Sequence, residues 1–548
     1  MALDVTPEQK EIGKANFHRV VGQRYELNRR EFMKGVLAAG AVLPVSAALY
    51  YGYQKLDGSP VKAGLIGAGD EGGVLVGEHN PAYLEFVAYS DIRPTNCKRI
   101  FEGEPSGPRK GFNRIYGADA SKRIRFYENY RHLLEDKDIE AVVIALPLHL
   151  HAPVAIEAMR AGKHVLCEKL MAWNVQQCKE MIRVAEETDR ILSIGHQRHY
   201  SLLYAHAVEL IRSGDLGDIK HIRALWHRNT TTPWSPSLAK QPLAEGVVQP
   251  QYREGWFPPI YAEDYDALKD RIREFGYKSV DELIRWRLFL RTGGGLMAEL
   301  GSHQLDACSI FLGKVRPLAV SGIGGKYFYR DYREVEDHVF CTFEFPGKNY
   351  WADPEQTQIK DKDDIVVVTY SSISTNGFEP YGECVMGTRA SMVVSQEQEV
   401  MLWPERGAAS RTTSVSVTDA RKPATVIDAS ATTGPAERRA VETGEKALGG
   451  AISRGYREEM EDFAYCVRMW QQGAVEEKDR PKDGKGRPIP RCHGVVAMAD
   501  AIIALTANLA MRGTPETGGR PSRIEFRREW FDPRTDDVPD RHMKVESV

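Results

Sequence analysis

The sequence predicts an α/β chain: a doubly wound parallel sheet at the N-terminal side, then an α+β domain with a large, mainly antiparallel sheet. Three observations predict it. Short apolar runs alternate with helical stretches from Val61 onward, a glycine-rich turn follows the first run, and after about Gly195 the texture changes to longer helices and alternating strands. The 548 residues exceed what one hydrophobic core serves, so two folded domains with terminal and inserted segments are expected. Hydrophobic residues make up 42% and charged residues 27%, and the formal net charge is -3, so no long-range field of one sign favours a nucleic acid partner. The cysteines Cys97, Cys167, Cys178, Cys308, Cys341, Cys384, Cys466 and Cys492 are scattered. Without a C-x-x-C pair or clustered histidines they read as mostly buried thiols, and no metal site is expected.

Residues 1–57 read as a tail and export signal. Asn28-Arg29-Arg30-Glu31-Phe32-Met33-Lys34 stands directly before an uncharged stretch from Gly35 to Gln54, an arrangement that resembles a twin-arginine signal. Small residues from Ser46 to Ala48 offer a cleavage point. The stretch 35–54 is also about the ~20 residues needed to span a bilayer, so an uncleaved anchor with residues 1–27 in the cytoplasm stays open, as does a surface helix. No other segment reads as apolar enough to cross a membrane.

Residues 58–195 form the predicted nucleotide-binding domain, with strands at Lys62–Ile66, Leu84–Tyr89, Arg123–Tyr127, Ala141–Leu146, His164–Cys167 and Ile191–Ile194. Apolar residues recur at helical spacing in Ala152–Ala161 and Val175–Thr188. Residues 196–530 form the second domain, with strands such as His221–Trp226, Val339–Phe345 and Ile365–Tyr370. Two insertions interrupt it: 230–278, rich in Pro, Trp and Tyr, and 405–450, whose composition suits a flexible segment. The charged tail 531–548 reads as loosely held.

Gly67-Ala68-Gly69-Asp70-Glu71-Gly72 follows a strand directly. Gly67, Gly69 and Gly72 permit a tight turn, a close approach to pyrophosphate and packing of the next helix, as in a Rossmann domain. Asp91 ends the next strand, where an acid binds ribose hydroxyls and repels a 2′-phosphate. That favours NAD; Arg93, two residues on, keeps NADP open.

The stretch Ala145-Leu-Pro147-Leu-His-Leu-His151, then Ala155, Ala158 and Ala161-Gly-Lys-His-Val-Leu-Cys-Glu168-Lys169, resembles the Gfo/Idh/MocA superfamily, named for glucose-fructose oxidoreductase and inositol dehydrogenase. That family's signature runs as a TP-x-x-x-H turn, AGKHV and EKP. Ala145-Leu146-Pro147 lacks the threonine, and Glu168-Lys169-Leu170 lacks the proline. Gly195-His-Gln-Arg198-His-Tyr200, Gly214 to Ile219 and Trp226-His227-Arg228-Asn229 look like the family's link into its substrate domain. Gly293 to Asp306 resembles its GG-x-x-x-D-x-G-x-H-x-x-D helix, with Glu299 where aspartate is usual. The resemblance implies nicotinamide chemistry on a sugar or cyclitol, Pro147, His151 and Glu168 beside the cofactor, and a homo-oligomer, dimer or tetramer, formed through an open sheet.

Glu299, His303 and Asp306 are four and three residues apart, so on a regular helix they share one face. His303 is the candidate base for the carbinol proton, with Glu299 or Asp306 orienting its ring, and Lys169 would stabilise the developing alkoxide. His151 could equally cap or pack. Arg198, His199, Tyr200, His227, Arg228 and Asn229 supply surface suited to hydroxyl-rich ligands, and Trp234, Trp256, Tyr252 and Tyr261 either stack on sugar faces as a lid or staple the core. Three functions stay open: an exported oxidoreductase with a tightly held cofactor, a glycoside hydrolase using catalytic NAD through transient C3 oxidation, and a non-catalytic NAD-binding protein.

Overall fold

The computed structural model describes residues 6–24, 58–405, 454–474 and 480–543. The twin-arginine motif, the 35–54 stretch and all but the first residue of the 405–450 insertion lie outside the described residues. Helix α1 (Pro7–Arg24) opens the chain.

The first sheet holds β1 (Val61–Ile66), β2 (Leu84–Ser90), β3 (Arg125–Tyr127), β4 (Ala141–Ile144), β5 (His164–Glu168) and β6 (Leu192–Gly195), in the order β3-β2-β1-β4-β5-β6. All pairs are parallel. Strands covered on both faces must be apolar at nearly every position, as Ala-Val-Val-Ile of β4 is. Helices α2 (Asp70–Glu78), α3 (His151–Arg160) and α4 (Val175–Thr188) connect them. The strand order reverses between β1 and β4, which opens a crevice at the carboxyl ends of the strands. The predicted strands are found with small shifts. β4 ends at Ile144, not Leu146, because Pro147 has left the sheet for a short turn over Leu148–Leu150.

The second sheet has the order β13-β12-β11-β7-β10-β9-β8-β14: β7 (Ile219–His227), β8 (Ala319–Gly325), β9 (His338–Pro346), β10 (Ile365–Ile373), β11 (Tyr381–Gly387), β12 (Ala390–Ser395), β13 (Glu399–Pro404) and β14 (Ile524–Glu525). Only β7 and β10 pair in parallel among the described strands of this sheet. β10 alternates strictly, with Val366, Val368, Tyr370 and Ser372 turned inward.

The 230–278 insertion is ordered, with helix α5 (Ala262–Leu268) and an apolar centre that includes Ala244, Ile260, Leu268 and Tyr277. It is latched to the first domain. Buried Asp264 accepts from Arg93 Nε (3.0 Å) and Nη2 (2.8 Å) and from Thr95 N (3.0 Å) and Oγ1 (2.7 Å). Further on come α6 (Ser302–Phe311), α7 (Tyr456–Gln471) and α8 (Gly494–Arg512).

Four findings revise the sequence reading. Helix α7, though far along the chain, returns to the first sheet: Met460, Phe463, Ala464 and Val467 join the core around β1 and β2, and Arg468 binds Glu140 and the Ser59 and Pro60 carbonyls. Helix α8 is apolar and long enough to cross a membrane, contrary to the reading that only 35–54 is, but it is mostly buried and serves as a core helix. The described part of the tail is held, since Lys179 Nζ donates to the carbonyls of Glu529 (2.8 Å), Thr535 (3.1 Å) and Asp537 (2.8 Å), and Asp540 caps Val175 N at 2.8 Å. Finally, α1 covers the edge strand β13. Phe17 and Val20 enter the main core, Asn16 Nδ2 donates to Leu402 O (3.2 Å), and Lys10 and Lys14 pair with Glu399. A Cβ at Gly13 would meet the Trp403 ring at 2.7 Å, so glycine lets helix and strand lie flush.

Candidate active site

The crevice begins at the glycine turn. Gly67 has φ +96°, and a side chain there would meet Ala145 O at 2.2 Å; at Gly72 it would meet Gly67 O at 2.1 Å. Gly69 is different: its nearest neighbour, Asn96 Nδ2, is 3.8 Å away, so its outer side is clear beside the N-terminus of α2. That is the geometry a dinucleotide pyrophosphate requires. Asp91 accepts from Ala68 N (2.7 Å), Asn96 Nδ2 (3.1 Å) and Arg93 N (2.8 Å), and burial raises its pKa against those bonds. Arg93 is committed to Asp264 at 2.8 Å.

Pro147 stands at the end of β4, ahead of the 148–150 turn. Buried His151 lies between two backbone carbonyls, Nδ1 to Leu170 O at 2.7 Å and Nε2 to Leu146 O at 2.8 Å, so it braces the two strand ends. Glu168 ends β5 with Oε2 accepting from Lys169 N (3.1 Å) and Oε1 buried without a partner; burial pushes its pKa well up, and Glu71 adds to that. The Lys169–Leu170 peptide is cis.

Lys169 Nζ reaches across to the second domain and donates to Glu299 O at 2.8 Å. The Glu299 carboxylate takes Arg287 Nε at 2.8 Å. Burial alone would raise its pKa, but Arg287 and Lys169 together hold it below the usual carboxylate range. His303 is buried, with its ring centroid 5.4 Å from that of Trp226. Burial first, then the charges of Lys169 and Arg198, hold it well below the usual histidine pKa, so it is a neutral imidazole near neutral pH.

The expected relay among Glu299, His303 and Asp306 is corrected. A π-helical turn at Met297–Gly301 precedes α6 and breaks the regular spacing, a device that recurs at functional sites. Glu299 turns to Arg287, while Asp306 receives His199 Nε2 (2.8 Å) and Lys314 Nζ (2.7 Å); neither carboxylate is hydrogen-bonded to His303. His196, Asp306 and Asp500 are spaced as metal ligands are, and Lys314 Nζ contacts both carboxylates, at 2.7 and 2.9 Å.

The residues expected on the substrate side divide. Arg198 is a buried clamp: Nη2 lies 2.7 Å from Glu397, Nη1 lies 3.1 Å from Glu383, and Nη1 also donates to His303 O. Tyr200 is enclosed and accepts from Cys492 N at 3.1 Å. His227 lies on the other face of β7, between Phe378 O (3.0 Å) and Ser371 Oγ (2.9 Å), because strand residues alternate and Trp226 takes the inner face. Asn229 closes a local turn onto Thr231. Arg228 alone of the five keeps an uncommitted polar head, stacked over Trp256 at 5.3 Å. Trp256 is buried, Tyr252 packs on Phe328 and Tyr329, and Arg287 and Asp264 are site residues the sequence reading missed.

Residues 62–196 match the family described as Oxidoreductase family, NAD-binding Rossmann fold, and residues 273–351 match the GFO/IDH/MocA C-terminal domain. Inositol 2-dehydrogenase of Salmonella typhimurium is 32% identical over 144 residues, covering 26% of this chain and 41% of that protein. A glycosyl hydrolase family 109 protein of Stenotrophomonas maltophilia is 30% identical over 230 residues, 41% of this chain and 47% of that protein. The matches thus span less than half the length of these curated relatives. The WlbA dehydrogenase from Bordetella pertussis, solved with NADH and UDP-GlcNAcA, shares the fold at a TM-score of 0.52 and 15% identity, covering 86% of this chain and 99% of that one. Lys169 in the first matched stretch reaches Glu299 in the π-turn of the second, so the chain is similar to both domain models of the Gfo/Idh/MocA oxidoreductases, in chain order.

Proposed function

We propose that this chain is an NAD-dependent oxidoreductase that transfers hydride between a carbinol carbon of a sugar or cyclitol and the nicotinamide. The convergence of Lys169 and neutral His303 across the two domains carries the reading. Gly67, Gly69 and Gly72 with the start of α2 would hold the pyrophosphate, Asp91 the ribose, and Pro147 and Glu168 the nicotinamide end. When bound, the nicotinamide supplies a two-electron acceptor for the carbinol hydrogen. Lys169 Nζ uses one donor on Glu299 O and keeps others for the carbinol oxygen, where it favours the alkoxide-like state. A ring nitrogen of His303 takes the hydroxyl proton. The engagement of Arg93 by Asp264 supports NAD over NADP, since it leaves no free guanidinium beside Asp91 for a 2′-phosphate.

The twin-arginine motif supports export to the periplasm or the outer face of the inner membrane, and with it a cofactor loaded before export and held through turnover; the packing of Phe17 and Val20 of α1 into the second domain counts against export, because a cleaved or anchored signal would part α1 from β13. The half-open second sheet, with Ile323 and Phe340 exposed, supports a dimer or tetramer. Mass spectrometry of nucleotide released on denaturing protein purified without added cofactor tests retention. Roughly stoichiometric NAD or NADH is the expected result, and an empty site overturns the loaded-before-export part. NADH formation with myo-inositol and simple aldoses tests the chemistry. Similarity to the family 109 glycosyl hydrolase over 41% of the chain favours a second reading, a glycosidase that returns the hydride to the same sugar; aglycone release without net NADH would select it.

A further inference from the structure

We propose that the substrate carries an anionic group, a carboxylate or a phosphate, and that Arg228 receives it; this rests on the oxidoreductase reading of the same cleft. Arg228 continues β7 by donating its backbone N–H to Ile373 O at 2.9 Å, and alternation puts it on the same face as Trp226, which packs on His303. Its guanidinium lies over the Trp256 ring at 5.3 Å, and its Nε is buried without an acceptor. Among the described residues no carboxylate lies within ion-pairing distance of it.

The neighbouring arginines are all engaged. Arg285 pairs with Asp281 at 2.6 Å, Arg287 with Glu299 at 2.8 Å, and Arg333 with both Glu254 and Asp331 at 2.7 Å. Glu254, the acid whose charge bears most on Arg228, is held by two Arg333 nitrogens, at 2.8 and 2.7 Å. Tyr329 and Tyr370 also face Arg228, but burial pushes both phenols far up, so neither supplies a counter-charge, and Arg287 adds a like charge. Burial accordingly lowers the pKa of Arg228 itself. A half-buried guanidinium with its Nε buried and no counter-ion is an unfavourable arrangement, and its planar fork matches a carboxylate or phosphate in two-point contact. The ligand that removes the cost brings the missing anion into the cleft where Lys169 and His303 meet.

The test uses the full chain saturated with NAD and three probes: D-glucuronate, D-glucose 6-phosphate and D-glucose. Calorimetry is expected to show one anionic probe binding about ten- to a hundredfold tighter than glucose. Arg228→Gln is expected to bring that ratio within about threefold, Arg228→Lys to retain part of it, and NAD affinity to be the same in all three proteins. The ranking of glucuronate against glucose 6-phosphate separates the two anion sources. Equal binding of glucose and both anions, or a preference that survives in a folded Arg228→Gln protein, overturns the proposal. Loss of NAD affinity in Arg228→Gln also overturns it, by assigning the arginine to the cofactor. Anion preference that depends on Arg228, without NADH from any probe, sustains this inference and overturns the oxidoreductase reading instead.

Discussion

Two buried groups of charge flank the π-turn, and they are built to opposite rules. Behind α6 the charges are paired: Arg198 meets Glu383, Glu397 and the His303 carbonyl, and Tyr204 donates to Glu383 at 3.1 Å while its ring lies 5.4 Å from the Arg198 guanidinium. In front, Lys169 spends one donor on a carbonyl, Arg287 and Glu299 pair, and Arg228 has no acid. Saturation holds the backbone of His303 still, while incomplete pairing leaves charge free for a ligand. A buried network is inert when complete, and when incomplete it reports where something else binds.

Breaking the saturated side has the largest expected effect. Arg198→Met strands two buried carboxylates and is expected to lose about 3–5 kcal/mol of folding stability by denaturant titration; a loss under about 1 kcal/mol would refute the clamp. On the cleft side, Lys169→Met is expected to lower kcat about 10²–10³-fold, near 3–4 kcal/mol of barrier, with an almost unchanged melting temperature. A large melting shift with near-normal kcat would assign Lys169 to the scaffold.

Glu383 sharpens the contrast through pH. Burial is the main cause that raises its pKa to about 7, with the charge of Arg198 opposing. A raised carboxyl stabilises the fold fully below its unfolded pKa, about 4.3 for glutamate, and that contribution is lost as pH rises through about 7. Glu383→Gln imitates the protonated form, so its stability relative to the parent should rise by on the order of 2 kcal/mol between pH 5 and pH 8. Parallel profiles would show that Glu383 is already ionised in that range. The smallest expected effect comes from converting a matched arginine into an unmatched one. Asp264→Asn should release Arg93 and shift the NADP-to-NAD preference about tenfold toward NADP, near 1.4 kcal/mol; an unchanged ratio would mean that Arg93 does not reach the ribose.

How far the sequence could be read follows from the distance over which each feature is made. The parallel strands were legible because burial on both faces writes an apolar run into each one. Gly67 and Gly72 were legible because a local turn requires them. Arg198 and Tyr200 were not, since their partners Glu397, Glu383 and Cys492 stand 199, 185 and 292 residues away. The π-turn was invisible because Met297–Gly301 has the composition of an ordinary helix, and it is what undid the Glu299–His303–Asp306 face. The error at His227 was avoidable. Period-two alternation along β7 already separates His227 from Trp226 and Arg228.

The docking of α1 on β13 has a practical consequence for anyone handling the protein. A recombinant chain shortened to begin at Gly58 would discard the cover over the outermost strand of the second sheet and leave Trp403 without Gly13 against its ring. Such a preparation should clump or exchange strands between molecules, and its poor solubility would be blamed on an unstable enzyme when the cause is a missing hem.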